Sequence, residues 1–212
     1  MQLLKKHIKT RALVASIYFI SLLIIGISFM QFWNYRILER AKNEEALVKD
    51  VKWTYEAVWE YIMMSDLGIR AMVALDETKL LEPHNIAVEI YGGALADLEQ
   101  LLTDPLIFDG FDVKEEFYLY REGCEAKMEE ADYMIELFRQ GDKEKAKELL
   151  RKDAGDKLYQ NHYAPLKDKL YTHLDEYLAH AKTSQNASML RINIMQLSFL
   201  LLALPILLMK VA

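Results

Sequence analysis

The chain has 212 residues, with 26 Lys and Arg against 32 Asp and Glu, a formal net charge of −6, and 52% apolar residues. One cysteine, Cys124, excludes an intramolecular disulfide. The averages conceal two regions: residues 1–32 and 192–212 hold no acidic side chain, so 33–191 carry all 32 acids against 21 bases, a formal charge of −11. An acidic middle region argues against nucleic acid as its partner.

Lys5, Lys6, Lys9 and Arg11 mark a short basic N-terminus, residues 1–11. Ala12 to Phe32 follows without a charge, and as a helix its 21 residues span ~31 Å, about one hydrocarbon core. A cleaved signal peptide is the alternative, opposed by the length of the run and by Phe29-Met30-Gln31-Phe32-Trp33, which offers no small-residue cleavage pattern. The matching segment is 192–209, interrupted by Pro205. A kinked transmembrane helix tolerates such a proline; a buried bundle helix is the alternative. Two spans put both termini, including 210–212, on one side. Basic residues before the first span outweigh Arg36 and Arg40 after it, which places the termini of this two-pass chain in the cytoplasm and residues 33–191 outside. Trp33 and Tyr35 suit the outer interface.

The middle region reads as helices throughout. The first, about 34–74, has its apolar seam at Val48, Val51, Tyr55, Val58, Ile62, Ser65, Ile69 and Met72, a heptad pattern that predicts packing at a shallow left-handed angle. Its start is mostly charged and stalk-like, so that with the membrane span it predicts a rod of ~90 Å. Asp76-Glu77-Thr78 supplies a turn, and Pro83 belongs in the first turn of a second helix, about 79–103. That helix carries Leu80 or Leu81, His84, Ala87 or Val88, Tyr91, Ala94 or Leu95, Leu98, and Leu101 or Leu102 on its seam; Gly92-Gly93 marks a close helix contact.

A loop over 104–112 precedes a third helix, about 113–140, with Val113, Phe117, Tyr120, Cys124, Met128, Ala131, Met134 and Phe138 on one face. Breaks at Gly141-Asp142 and Gly155-Asp156 enclose a short helical segment, 143–152. The last helix, about 157–191, places Tyr159, Tyr163, Leu166, Leu170, His173 or Leu174, Tyr177, Ala181 and Ser184 in register, with a start or bend at Pro165. The fold class is all-α: a membrane-anchored, antiparallel up-down-up-down four-helix bundle with two transmembrane helices. Its polar two-helix stalk favours a homodimer.

This order of parts resembles the N-terminal sensor region of bacterial chemoreceptors and sensor histidine kinases. Asp66-Leu67-Gly68-Ile69-Arg70, followed by Leu80-Leu81-Glu82-Pro83, is similar to the acidic-glycine-arginine stretch and next helix start of CHASE3-type domains. Leu137 to Leu150, LFRQGDKEKAKELL, is similar to the segment joining helices three and four of chemoreceptor-type four-helix bundles. Ala71-Met72 departs from the fuller CHASE3 pattern. The resemblance implies signal input. A small molecule or periplasmic protein shifts the bundle, and helix displacement carries the signal inward to a cytoplasmic output domain or partner. Family members continue into a HAMP linker and an output domain, whereas this sequence stops at Ala212, so the expectation is a receptor's N-terminal portion or a sensor that works through a partner.

No nucleotide loop or zinc-spaced motif occurs, and neither an enzyme nor a cofactor is expected. Asp66 with Arg70, and Arg121 beside Tyr118, are the candidate ligand contacts, set against the alternative of ordinary helix-surface pairs. His84, His162, His173 and His180 are expected as core or surface residues, with no metal site. A structural or scaffolding membrane protein that binds a partner protein is the competing class, and a channel ranks below it because neither span has a central ionisable residue.

Overall fold

The computed structural model describes residues 2–151 and 157–208, and side chains over 14–151 and 157–201. The side chains of the basic cluster Lys5 to Arg11 and of Pro205, the Gly155-Asp156 break and the terminal 210–212 lie outside what is described. Among the described residues there is no strand; the protein is all-α.

α1 runs from Gln2 to Leu75 without interruption. Asp76, with φ of 61°, adopts the left-handed conformation that ends it, and Lys143 Nζ holds the Asp76 carboxylate at 2.5 Å. A 3₁₀ turn, Thr78–Leu81, then leads into α2, Glu82–Leu102, with Pro83 in its first turn. The helix thus starts a few residues later than its apolar pattern suggests, because the chain tightens before the proline. Within the expected 104–112 loop sits a single helical turn, α3 (Pro105–Phe108), capped by Asp104, whose side chain accepts from the Leu106 N–H at 2.8 Å.

α4 spans Lys114–Arg139. It ends in a Schellman arrangement: Gly141 takes φ of 86° and the Asp142 N–H donates to the Leu137 carbonyl at 2.9 Å. α5 is Lys143–Arg151. One π-helical turn, Tyr159–Tyr163, precedes α6, Ala164–Leu208. Pro165 falls in the first turn of α6, where it does not break the helix.

The chain divides into two units, residues 1–43 with 179–212, and residues 44–178. In the first unit the apolar side chains face outward: Ile17, Leu22, Ile24, Ile25 and Phe29 of α1 and Leu197, Leu200 and Leu201 of α6 are exposed, while Leu23 and Ile192 are buried. The hydroxyls of Ser21 and Ser198 each donate to the carbonyl four residues back, at 2.9 Å, so neither needs water. Among the described residues one helix, α1 from Val14, is long and apolar enough to cross a membrane.

The second unit is packed inward. All eight expected seam positions of α1 from Val48 to Met72 are buried, as are the eight expected for the third helix, seven on α4 and Val113 at its N-cap. Core side chains from α1, α2, α4 and α6 form one cluster around Tyr55, Leu98, Tyr120 and Leu170. A second cluster joins Ile69, Met72, Leu81, Met134, Phe138 and Ala146 of α5. Pairing runs antiparallel between α1 and α6, where Lys52 meets Asp175 and Trp59 meets Tyr159, and between α2 and α4, where Glu99 meets Arg121 and His84 meets Asp132.

Two expectations change. Tyr159 is exposed and Leu158 is buried in its place, followed by Tyr163, Leu166, Leu170 and Leu174. The π turn explains this: closing i to i+5, with the Ala164 N–H on the Tyr159 carbonyl, it lengthens one step of the seam to five residues. Neither Gly92 nor Gly93 has a neighbour near the place of a Cβ; the close approaches are at Gly68, where a Cβ would lie 3.1 Å from the His84 nitrogen, and at Gly123.

Candidate functional site

The π turn has chemistry on two sides. Toward the core, Tyr163 stacks on Tyr55 (5.1 Å between centroids) and on Trp59 (4.5 Å), and Tyr120 closes the group 5.4 Å from Tyr55. The Tyr55 hydroxyl donates to the Tyr163 carbonyl at 2.5 Å, which ties α1 to the turn. Tyr163 and Tyr171 both donate to the Glu56 carboxylate, at 2.5 and 2.8 Å, and Lys167 Nζ lies 2.7 Å from it. One face of the last helix thereby presents residues 163, 167 and 171, a helical i, i+4, i+8 row, to a single acid on α1.

Burial works against the Glu56 carboxylate, but the hydrogen bonds from Lys167, Tyr163 and Tyr171 together hold its pKa below the ordinary carboxylate value. The same geometry raises Tyr163 and Tyr171 by burial and then by the neighbouring carboxylate, so both stay protonated donors. Burial raises Tyr55 and Tyr120 further and pushes the Cys124 thiol up to about 12, which leaves it an unreactive core group. The network is a neutral phenol cage around one carboxylate–ammonium pair. It holds helices in register and contains no group tuned for proton transfer near neutrality.

Outward from the turn lies an open groove with a volume of about 280 Å³. Gly123, Ala126, Lys127 and Glu130 of α4 form one wall, and Lys157, Leu158 and His162 form the other. Gly123 is what lets the walls approach: a Cβ there would stand 2.6 Å from Leu158 Cδ1 and 3.1 Å from His162 Cδ2. Lys127 is only 8% exposed, held by Asp66 at 3.1 Å and Glu130 at 3.2 Å. His162 Nδ1 is buried and has no hydrogen-bond partner.

The four residues singled out in the sequence separate into two places. Asp66 and Arg70 meet at 2.5 Å along α1, and Asp66 also reaches Lys127, so this pair backs the groove. Tyr118 is exposed, and Arg121 bridges α4 to α2 through Glu99 at 3.0 Å while also bonding Glu125 at 2.9 Å, the main cause of its raised pKa. Glu56, Lys127, Lys167 and Gly123 were not singled out, and His162 was weighed only as a core or surface histidine. The spacing of Tyr163, Lys167 and Tyr171 was a visible signal, but nothing local pointed to Glu56.

Of the other histidines, His173 stacks on Phe111 at 3.6 Å and contacts the Ile107 carbonyl at 2.9 Å, and His180 is exposed. Ser65, His84 and Asp132 form a Ser-His-Asp sequence of contacts, 2.8 Å from Ser65 Oγ to Nδ1 and 3.5 Å from Nε2 to Asp132. Ser65 and His84 are buried, which denies a substrate access to the hydroxyl. Among the described residues no group of three His, Cys, Asp or Glu side chains is placed to hold a metal ion. Comparison with protein-family models, curated proteins and solved structures finds no match to this chain.

Proposed function

We propose that the protein is the transmembrane signal-input module of a bacterial receptor, an antiparallel up-down-up-down four-helix bundle carried on two transmembrane helices. The observation that carries this reading is the continuity of α1, which supplies an outward-facing apolar segment from Val14 and, without a break, the buried seam Val48 to Met72. A stimulus acting on the packed unit has a direct mechanical route through such a helix, provided two arrangements of the helices differ in their affinity for it. The Glu56 network between α1 and the last helix is where a slide would be felt, since Lys167, Tyr163 and Tyr171 sit on consecutive turns. The resemblance to chemoreceptor and CHASE3-type sensor regions supports the same reading. It brings the bacterial inner membrane and a cytoplasmic output domain or partner, while the basic bias of the N-terminus adds cytoplasmic termini with residues 33–191 outside, and the polar stalk adds a homodimer.

The test joins the chain to the output half of a receptor kinase and cross-links Lys52→Cys to Asp175→Cys with a bis-maleimide, across the 2.6 Å ion pair between α1 and α6. Buried Cys124 stays unmodified. The expected result is a change in basal kinase activity on cross-linking. Unchanged activity in a cross-linked, membrane-inserted protein contradicts the signalling reading and favours a rigid scaffold.

A further inference from the structure

We infer that the groove beside the π turn is a binding site for a small organic carboxylate. Three independent features meet there. First, the groove exists because the backbone makes it: the π turn adds a residue at Tyr159–Tyr163, and Gly123 lets that turn lie against α4. Single π turns inside α-helices are frequent at functional sites. Second, His162 lines the groove with a buried ring nitrogen that no protein group satisfies. A buried polar atom without a partner costs stability, and a bound molecule or ion accounts for its retention.

Third, the lining has the composition of a small-ligand site. Buried Leu158 and exposed Ala126 give the apolar lining, and Lys127, Glu130, Lys157 and His162 give a few polar heads. Charge decides the class of ligand. Glu130 and Asp66 are both spent on Lys127, at 3.2 and 3.1 Å. The acid on offer to an ammonium ligand is therefore already paired, whereas the exposed Lys157 stands on the rim on the same wall as His162. With a rotation of the ring that uncovers Nδ1, a carboxylate in the groove accepts from Nδ1–H of His162 and faces the Lys157 ammonium, and its short apolar body covers Leu158 and Ala126. The volume, about 280 Å³, admits a compact acid and not a peptide or nucleotide. Through Lys127 and Asp66 the site touches α1, and through His162 it touches the turn that carries Tyr163.

The inference rests on the signal-input reading for its role, while occupancy can be measured without any output domain. The full chain in lipid nanodiscs, labelled with ¹⁵N-histidine, is titrated with benzoate and separately with benzamide, its neutral isostere. The expected result is a saturable shift of the His162 ring signal with benzoate, with benzamide at least tenfold weaker. Affinity falls about tenfold in Lys157→Gln, an exposed position whose thermal unfolding serves as the folding control, and binding followed by benzoate saturation transfer is lost in His162→Gln. Absence of a saturable shift, equal shifts with the two probes, or unchanged binding in His162→Gln overturns the site and leaves water as the partner of Nδ1. A failed titration does not touch the cross-linking result, and a failed cross-linking experiment does not touch the titration.

Discussion

The unit of residues 44–178 and the unit of 1–43 with 179–212 use the same aliphatic and aromatic residues in opposite ways. Tyr55, Ile62, Leu98, Leu166 and Leu170 are buried in the former; Ile17, Leu22, Ile24, Phe29 and Leu197 are exposed in the latter. Helix formation is common to both, so local propensity does not distinguish them. What differs is the period: three-and-four spacing with charges between in one, and apolar residues on every face in the other. The difference teaches that the burial of each helical segment is written in its periodicity, with apolar residues packed inward in the first kind and facing outward in the second.

The largest expected effect is in the packed unit. Tyr55→Ala removes the ring between Tyr120 and Tyr163 and the bond to the Tyr163 carbonyl; a loss of about 3–5 kcal/mol in urea unfolding is expected for an aromatic truncation in a core. Leu22→Ala in the other unit is expected to leave the same transition within about 0.5 kcal/mol. An equal loss at both positions breaks the comparison.

The opposite substitution follows in size. Leu22→Arg puts a charge into the apolar segment and costs insertion about 2.5–3.5 kcal/mol, read as a fall in the membrane-inserted fraction of the chain. Trp53, exposed on α1 within the packed unit, is expected to accept Arg with no change in insertion.

Glu56→Gln comes next, at about 1.5–3 kcal/mol for hydrogen bonds to a charged group. The folded pKa of Glu56 is lowered, so its contribution is fully present above the unfolded value of about 4.3 and is lost as pH falls through the folded pKa. Glu56→Gln therefore flattens the acid limb of the stability profile. His84 has the reverse chemistry and acts at higher pH. Burial lowers its pKa against the opposing pull of Asp132, so the unfolded chain binds its proton more readily and stability declines as pH falls below about 6.5. His84→Gln is expected to remove that decline while leaving the Glu56 limb. The smallest effect belongs to Lys49→Ala, which breaks a solvent-exposed pair with Glu45 at 2.7 Å and is expected to cost about 0.5 kcal/mol or less.

Most of the packed unit was legible in the sequence because its signals are local. The α1 seam and the α4 face are long uninterrupted 3.5-residue patterns, and Asp76, Pro83 and Gly141 punctuate the helices by backbone chemistry that each residue carries alone. The π turn was not legible: moving burial from Tyr159 to Leu158 depends on an extra residue that no composition marks. Glycines misled for the same reason. Gly92-Gly93 stands out as a pair but faces open space, whereas isolated Gly68 and Gly123 make the close contacts. The site was half visible: Asp66 and Arg70 were chosen as a helical pair, but Lys127 and His162, which complete that region, lie on other helices far along the chain.

The central claim is that a single helix passes from lipid contact into a water-surrounded core. Nitroxide labels placed one at a time from Ile17 to Ile62 in a bilayer, with accessibility to oxygen and to a nickel chelate measured at each, test it most directly. The account predicts high oxygen and low nickel access at Ile17, Leu22 and Ile24, low access to both at Tyr55, Val58 and Ile62, and high nickel access at Trp53 and Glu60. High nickel access across Ile17 to Phe29 would contradict it.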